Sequence, residues 1–103
     1  MPKGYWVGLV DVEDPEAYKA YVAANAVAFR KYGARFTVRG GKSAAMEGQP
    51  RSRVVVIEFK DYETALACYW SPEYQAALAL RREASTADLR IVEGYEGVQP
   101  SDP

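Results

Sequence analysis

RVVVIEF, residues 53–59, is the stretch of sequence that decides the fold of this chain. Three consecutive valines followed by an isoleucine give it a high propensity for β-structure. Because the side chains of a strand alternate between two faces, one face carries Val55, Ile57 and Phe59 and the other carries Val54, Val56 and Glu58. A strand that is largely apolar on both faces must be covered on both, which predicts an interior position in its sheet.

The composition indicates a globular protein with a single domain. The chain has 103 residues, of which 49% are hydrophobic and 26% are charged, and this is enough to form one hydrophobic core. Its formal net charge of −1 argues against a nucleic-acid partner, because domains that bind nucleic acid are normally basic. No apolar run approaches the roughly 18 residues of a membrane span, so no membrane partner is expected.

The use of cysteine and histidine limits both location and chemistry. Cys68 is the only cysteine, so no internal disulfide is expected, and this favours the reducing cytoplasm. The first residues, Met-Pro-Lys-Gly, lack the apolar segment of a signal peptide. The chain contains no histidine, which removes the commonest general base and the commonest metal ligand. With no cluster of metal ligands and no dinucleotide-binding motif, we expect neither a metal nor a cofactor.

Capping signals define the first helix. Asp14 is suited to cap its N-terminus, Pro15 suits the first helical position, and Gly33 can adopt the left-handed conformation that ends a helix. The predicted elements of this half are a strand at 4–12, the helix at 15–32, a strand at 34–39 and a brief pairing at 44–46.

A second helical region follows the central strand. Asp61 caps its start, and Ser71-Pro72 interrupts it, because a residue before proline avoids the helical region and the serine can cap a new helix. The restarted helix is expected to end near Ala84. The last strand is predicted at 88–96, with two prolines in the segment that follows it.

The resulting order is β-α-β-β-α-β. Right-handed crossovers predict an α+β, ferredoxin-like domain over residues 1–97 with a flexible tail over 98–103. Its four-stranded antiparallel sheet has the order 4-1-3-2, with both helical regions on one face. The other face keeps Val54 and Val56 uncovered, a larger apolar patch than a monomer usually exposes. We therefore expect a homodimer that packs sheet to sheet.

Seven blocks of sequence resemble the family called domain of unknown function 1330 (DUF1330). They occur in the family's order and span residues 3–97: Gly4-Tyr-Trp, Asp14-Pro-Glu-Ala-Tyr18, Tyr32-Gly-Ala-Arg-Phe36, Val38-Arg-Gly-Gly41, Val56-Ile-Glu-Phe59, Ser71-Pro-Glu-Tyr-Gln75 and Ile91-Val-Glu-Gly94. The resemblance implies the dimeric α/β-barrel superfamily, in which ferredoxin-like subunits pair through their sheets. The family's own function is uncharacterised. Wider relatives include cofactor-free monooxygenases and haem-dependent enzymes, and the lack of histidine argues against a haem ligand here.

The first candidate site combines Glu58 with Arg39. Glu58 is a carboxylate in an apolar strand, which is costly unless it is paired or protonated. With Phe36 and Phe59 facing the helices, strand alternation predicts that Arg39 and Glu58 both face away from them, together with Arg35 and Arg90. Such a group could bind an acidic substrate, or Glu58 could act as a base. The alternative is an ion pair with a purely structural role.

The second candidate site lies on the helix side of the sheet. Asn25 is an amide within the apolar stripe of the first helix, and a buried amide must find hydrogen-bond partners. Tyr69 and Tyr74 could supply them or share a ligand with it, and Tyr18 and Ser71 accompany this set. The alternative is a hydrophobic core closed by tyrosines, with Ser71 acting only as a helix cap.

Two functions remain open from the sequence. The first is an uncharacterised dimeric α/β-barrel protein that binds or transforms a small organic molecule without a cofactor. Its ligand-binding candidates are Asn25, Arg39, Glu58, Tyr69 and Tyr74, and its catalytic candidates are Glu58 and Arg39. The second is a non-catalytic dimeric module with no substrate. Whether the protein is an enzyme stays open at this point.

Overall fold

Seven elements in the order β-α-β-β-α-α-β build the protein, as seen in a computed structural model that describes residues 2–103. They are β1 (Gly4–Val12), α1 (Pro15–Tyr32), β2 (Arg35–Arg39), β3 (Arg53–Phe59), α2 (Tyr62–Trp70), α3 (Pro72–Ala84) and β4 (Ser85–Glu93). The four strands form an antiparallel sheet in the order β2-β3-β1-β4. This is the predicted order read from the opposite edge, so the ferredoxin-like α+β fold is confirmed.

The central stretch lies in the interior of the sheet, as predicted. β3 pairs with β1 on one side, from Gly4 opposite Phe59 to Val10 opposite Arg53, and with β2 on the other. The helices cover the face that carries Ile57 and Phe59, and both of these side chains are buried. We call this face of the sheet the inner face and the opposite one the outer face.

The ends of α1 follow the capping signals. The Asp14 carboxylate accepts a hydrogen bond from the backbone N–H of Ala17 at 3.1 Å. At the other end Gly33 has φ 68°, a left-handed conformation that glycine adopts without steric cost. Its N–H donates to the carbonyl of Arg30 and the N–H of Ala34 donates to the carbonyl of Phe29, so two carbonyls of the last turn are satisfied.

Ser71 separates α2 from α3, and the predicted interruption is confirmed. Its backbone is extended, with ψ 149°. Its hydroxyl oxygen accepts from the N–H of Tyr74 at 3.1 Å, and the hydroxyl donates to the carbonyl of Cys68 at 2.7 Å. One buried side chain thus closes the first helix and begins the second.

Three details of the elements differ from the sequence prediction, and the smallest is that β2 begins at Arg35 rather than at residue 34. The last strand occupies Ser85–Glu93 rather than 88–96, because Val12 to Leu9 of β1 offer a continuous ladder that pairs with Ser85 to Asp88. Backbone pairing there outweighs the polar character of the segment. The pairing predicted at 44–46 does not occur, since β2 forms its ladder with β3 alone.

The core lies between the inner face and the helices, around Trp6. This indole is 2% exposed, and its N–H donates to the carbonyl of Ala65 in α2 at 2.8 Å. Four aromatic rings surround it with centroids within 5.8 Å: Phe29, Phe59, Tyr69 and Tyr74. Within residues 2–103, no helix is long and apolar enough to cross a membrane. The division into a domain over 1–97 and a tail over 98–103 stays a prediction.

Replacing the Ser71 hydroxyl tests its capping role. We expect Ser71→Ala to lower the free energy of unfolding by about 1 kcal/mol, because the N–H of Tyr74 loses its acceptor in a buried position. Urea denaturation measures the change. Ser43→Ala, at an exposed position outside the helices and strands, is the matched control and should unfold like the parent. Equal stability of Ser71→Ala and the parent would contradict the role.

The Cys68 thiol should be unreactive in the folded protein. It is fully buried beneath α1, and burial, assisted by the charge of Glu73, raises its pKa to about 12. Since the thiolate is the reactive form, we expect a disulfide reagent at pH 8 to label Cys68 only after denaturant is added. Rapid labelling without denaturant would show that α1 and α2 separate readily.

Candidate functional site

A cavity of about 50 Å³ lies between the inner face of the sheet and helices α1 and α3. Aromatic and aliphatic side chains make up most of its lining, and a few polar side chains lie among them. The sheet contributes Trp6, Gly8, Val10, Phe36, Arg39, Arg53, Val55, Ile57, Ala87 and Leu89, and the helices contribute Tyr18, Tyr21, Val22, Asn25, Phe29, Tyr74 and Arg81. We call this cavity the inner-face pocket.

The strand register locates the two ends of the pocket. At one end Val10 of β1 lies opposite Arg53 of β3 and Ala87 of β4. Toward the other end Trp6 lies opposite Ile57 and Ile91 and is enclosed by the aromatic cluster. The pocket is therefore closed at the Trp6 end, and its charged side chains lie toward the Arg53 end.

Gly8 forms part of the floor of the pocket. It lies in the middle of β1. Within residues 2–103 it does not belong to the glycines with positive φ. A methyl group built on its Cα would lie 3.7 Å from Leu89 Cδ1 and 3.8 Å from the Val55 carbonyl oxygen, which are ordinary contact distances. Neither the backbone nor crowding requires glycine here, so the missing side chain leaves space in the pocket.

The polar groups of the helices are a tyrosine pair and Asn25. The hydroxyls of Tyr21 and Tyr74 lie 2.9 Å apart and are buried, and Asn25 is 4% exposed. Burial raises the pKa of both phenols above the ordinary value. Both therefore stay protonated at neutral pH, where they can donate hydrogen bonds but do not act as bases.

Three arginines, Arg39, Arg53 and Arg81, line the pocket together with no aspartate or glutamate. Their guanidinium carbons lie over the rings of Phe36, Tyr18 and Tyr21 at 4.0, 5.6 and 5.8 Å from the centroids. None of them belongs to an ion pair within residues 2–103. The inner-face pocket is therefore a cationic site in a chain whose net charge is −1.

Arg53 and Arg81 are partly shielded from solvent. The Arg53 Nε atom is buried and has no hydrogen-bond partner among the described residues, and its guanidinium packs so closely on Gly40 that a methyl group there would overlap it. Burial alone would lower the pKa of Arg81, but the oxygens of Tyr74 and Tyr21 raise it overall. Arg81 thus remains a cation beside the tyrosine pair.

The prediction that Arg39 and Glu58 share the outer face is wrong. A register shift between Phe36 and Val38 places Val38 opposite Val56 and Arg39 opposite Val55. The extra residue reverses the alternation of side chains along β2, as a β-bulge does. Arg39 consequently faces the inner-face pocket, and Glu58 lies on the other side of the sheet.

Glu58 is held by a tyrosine rather than by an arginine. The Tyr5 hydroxyl donates to Glu58 Oε1 at 3.2 Å, and Arg35 lies opposite Glu58 in the ladder. No ion pair joins Glu58 to an arginine within residues 2–103. Glu58 therefore does not contribute to the inner-face pocket.

The remaining candidates divide between two places. Asn25, Tyr18 and Tyr74 line the inner-face pocket. Tyr69 instead borders an open groove with Trp70 and Arg90 at the β4 edge, although its ring also contacts the core. Ser71 is the helix cap described above.

Most of the lining residues were not among the sequence candidates, and those that matter most for a ligand are Gly8, Tyr21, Arg53 and Arg81. The sequence did contain a signal for the two arginines. Arg53 alternates with Val55 and Ile57 and so shares their strand face, and Arg81 lies two helical turns after Tyr74 and so shares its helix face. The pairing of Tyr21 with Tyr74 had no signal, because the two lie far apart in the chain.

A metal centre would need several ligand side chains close together. The part of the chain that the structure describes, residues 2–103, contains no group of three or more histidine, cysteine, aspartate or glutamate side chains positioned to hold a metal ion.

Comparison with solved structures shows where this fold occurs. A protein of unknown function from Rhodopseudomonas palustris, RPA0582, is similar with a TM-score of 0.73 and 17% identity over 93% of this chain and 85% of that one. A variant of SnoaB, a cofactor-independent oxygenase from Streptomyces nogalater, gives a TM-score of 0.66 and 14% identity over 98% and 100%. A dimeric protein of unknown function with a ferredoxin-like fold, from Bacteroides fragilis, gives 0.52 and 14% over 88% and 95%.

At these identities the likeness concerns the fold alone. No curated protein matches the sequence significantly. The family model described as domain of unknown function DUF1330 matches residues 3–95, which is nearly the whole chain. This protein therefore belongs to the DUF1330 family.

Proposed function

We propose that this protein binds a small organic molecule in the inner-face pocket, without a cofactor and as a homodimer. The observation that carries the proposal is the floor of the pocket at Gly8. Its backbone has no need of glycine and a methyl group would fit, yet the space is left open beside the side chains of Asn25, Tyr74 and Arg53. An apolar cavity with a few convergent polar groups is the usual form of a ligand site.

The open space has an energetic cost. Glycine in a strand interior lowers stability by about 0.5–1 kcal/mol relative to alanine, and a cavity forfeits packing contacts along its lining. A protein in which this face served only as core would gain stability from a side chain at Gly8. Such a cost is understandable if the space is used by a ligand.

The pocket supports binding more directly than catalysis. Its lining contains no carboxylate and no histidine, and the tyrosine pair stays protonated, so no side chain in it is suited to be a general base at neutral pH. SnoaB, which shares the fold, is described as a cofactor-independent oxygenase. The proposal therefore extends to transformation of the ligand without a cofactor.

The outer face supports the homodimer. Val7 and Val56 lie opposite each other at its centre, with Leu9 and Val54 beside them, and none of the helices of residues 2–103 covers this side. The similar protein from Bacteroides fragilis is described as dimeric. In a dimer with two-fold symmetry the same surface of each copy forms the interface. Packing of the two outer faces against each other would bury the valines of both copies.

The alternative is a non-catalytic dimeric module without a ligand. The small volume of the cavity, about 50 Å³, favours it, because that space holds only a few water molecules. The two functions differ in what they expect of Gly8, which makes this residue the sharpest test.

We expect Gly8→Ala to raise the free energy of unfolding by about 0.5–1 kcal/mol and to weaken ligand binding. The added methyl group improves strand packing but occupies space that a ligand needs. Urea denaturation measures stability, and a ligand-observed NMR screen of small organic molecules measures binding. Gly41→Ala is the control, since a methyl group there meets no atom within 4 Å. A parent that binds no compound in the screen would favour the non-catalytic module.

A charge in the centre of the outer face should separate the dimer. We expect the parent to scatter light as a species of about twice the 11.4 kDa chain and Val56→Lys to scatter as a monomer, because two buried ammonium groups would face each other. Val27→Lys, at a helix position that is 55% exposed, should stay dimeric. A parent that is monomeric at micromolar concentration would remove the dimer from the proposal.

A further inference from the structure

We infer that the ligand of the inner-face pocket is a small organic anion, a carboxylic acid with a short apolar body, whose carboxylate accepts hydrogen bonds from Arg53 and its neighbours Arg39 and Arg81. The inference rests on the proposed function and names the chemical class of its ligand. It adds the requirement that the ligand is negatively charged, which an apolar cavity alone would not impose.

The charge balance of the pocket is the first argument. Three guanidinium groups line it, and no carboxylate does, so an empty pocket holds positive charge without a counterion from the described residues. Arginine stays charged at any pH that proteins tolerate, which means that this charge cannot be relieved by losing protons. A carboxylate is the group that a guanidinium fork binds most favourably, through two parallel hydrogen bonds.

The second argument is the unsatisfied donor on Arg53. Its Nε atom is buried and has no partner among residues 2–103, and a buried donor left without an acceptor is costly. The Arg53 guanidinium also packs on Gly40 and lies over the Tyr18 ring. A guanidinium with an unpaired donor at the pocket favours an acceptor that arrives from outside the chain.

The distribution of polarity gives the ligand its orientation. Arg53 lies at the end of the sheet where Val10 pairs with it, while the closed end is formed by Trp6 and its aromatic neighbours. A carboxylate at the Arg53 end would therefore direct an apolar group toward Gly8 and Val55. The volume of about 50 Å³ limits that group to a few carbon atoms unless side chains move, because a water molecule needs about 10–15 Å³ on the same measure.

A structural explanation of the three arginines is a specific alternative. Each guanidinium lies over an aromatic ring, and such contacts can stabilise the fold while the aliphatic stems cover apolar surface. This alternative expects that removing a guanidinium changes stability alone. The inference expects that it changes affinity for acids while affinity for their uncharged analogues stays the same.

The experiment compares butyrate with butyramide, which have nearly the same shape and differ in charge. Each is titrated into the full chain at neutral pH and followed by the backbone amide signals of an NMR spectrum. We expect butyrate to bind at least about tenfold more tightly than butyramide, and its affinity to fall as salt is added. Inorganic phosphate, an anion without an apolar body, should bind more weakly than butyrate.

Variants connect the preference to the pocket. Arg53→Gln and Arg81→Gln should each weaken butyrate binding by about tenfold or more while leaving butyramide unchanged. Arg82→Gln, at the neighbouring exposed position of α3, is the matched control and should bind like the parent. If Arg53→Gln does not fold, Arg53→Lys keeps the charge without the planar fork and should bind butyrate more weakly than the parent.

The outcomes separate this inference from the proposed function. Equal binding of butyrate and butyramide would be consistent with a ligand pocket but would contradict the inference that the ligand is an anion. Phosphate binding as tightly as butyrate would contradict the inference that the ligand carries an apolar body. Butyrate binding that survives in Arg53→Gln and Arg81→Gln alike would overturn the role of the arginines. If neither organic compound binds and the wider screen also fails, the proposed function falls together with the inference.

Discussion

The contact between the Trp6 indole and helix α2 is the interaction on which the rest of the structure depends. Trp6 stands on the middle of the sheet, donates its N–H to the carbonyl of Ala65, and has the rings of Phe29 and Tyr74 against its own. An indole N–H buried without an acceptor would be costly, so this hydrogen bond fixes α2 against the sheet. Since Ser71 connects α2 to α3 directly, the same contact also sets the position of α3.

Anchoring the helices at the Trp6 end has a consequence for the other end. There Arg53, Tyr21 and Arg81 line a cavity together with aliphatic side chains, and Gly8 adds no side chain to fill it. One layer of the protein thus serves as a sealed aromatic core at one end and as a lined cavity at the other. The first part stabilises the fold, and the ligand that we propose would occupy the second.

The two faces of the sheet are used differently because the helices can cover only one of them. The inner face holds the core and the pocket, and the outer face holds valines with the Tyr5–Glu58 hydrogen bond at one end and the Arg51 ion pairs with Asp11 and Asp88 at the other. These polar groups border the valines. Such a pattern, apolar at the centre and polar at the rim, is typical of an interface between subunits.

The sequence by itself determined the element order, the helix caps and the break at Ser71, because each of these follows from signals a few residues apart: side-chain alternation, a capping carboxylate, a glycine or a proline. The sheet order then follows from the element order, since crossovers between parallel strands are right-handed. The fate of Arg39 was decided only by the tertiary structure. Alternation along β2 predicted the outer face, and the register shift against β3 moved the side chain to the inner one. A bulge is defined by how two strands pair, so the pattern of residues along one strand does not predict it. Part of the pocket was predicted, since Asn25, Tyr18 and Tyr74 line it. Its floor and its charge were not, because Gly8, Arg53 and Arg81 come from three distant segments that meet only when the helices pack on the sheet.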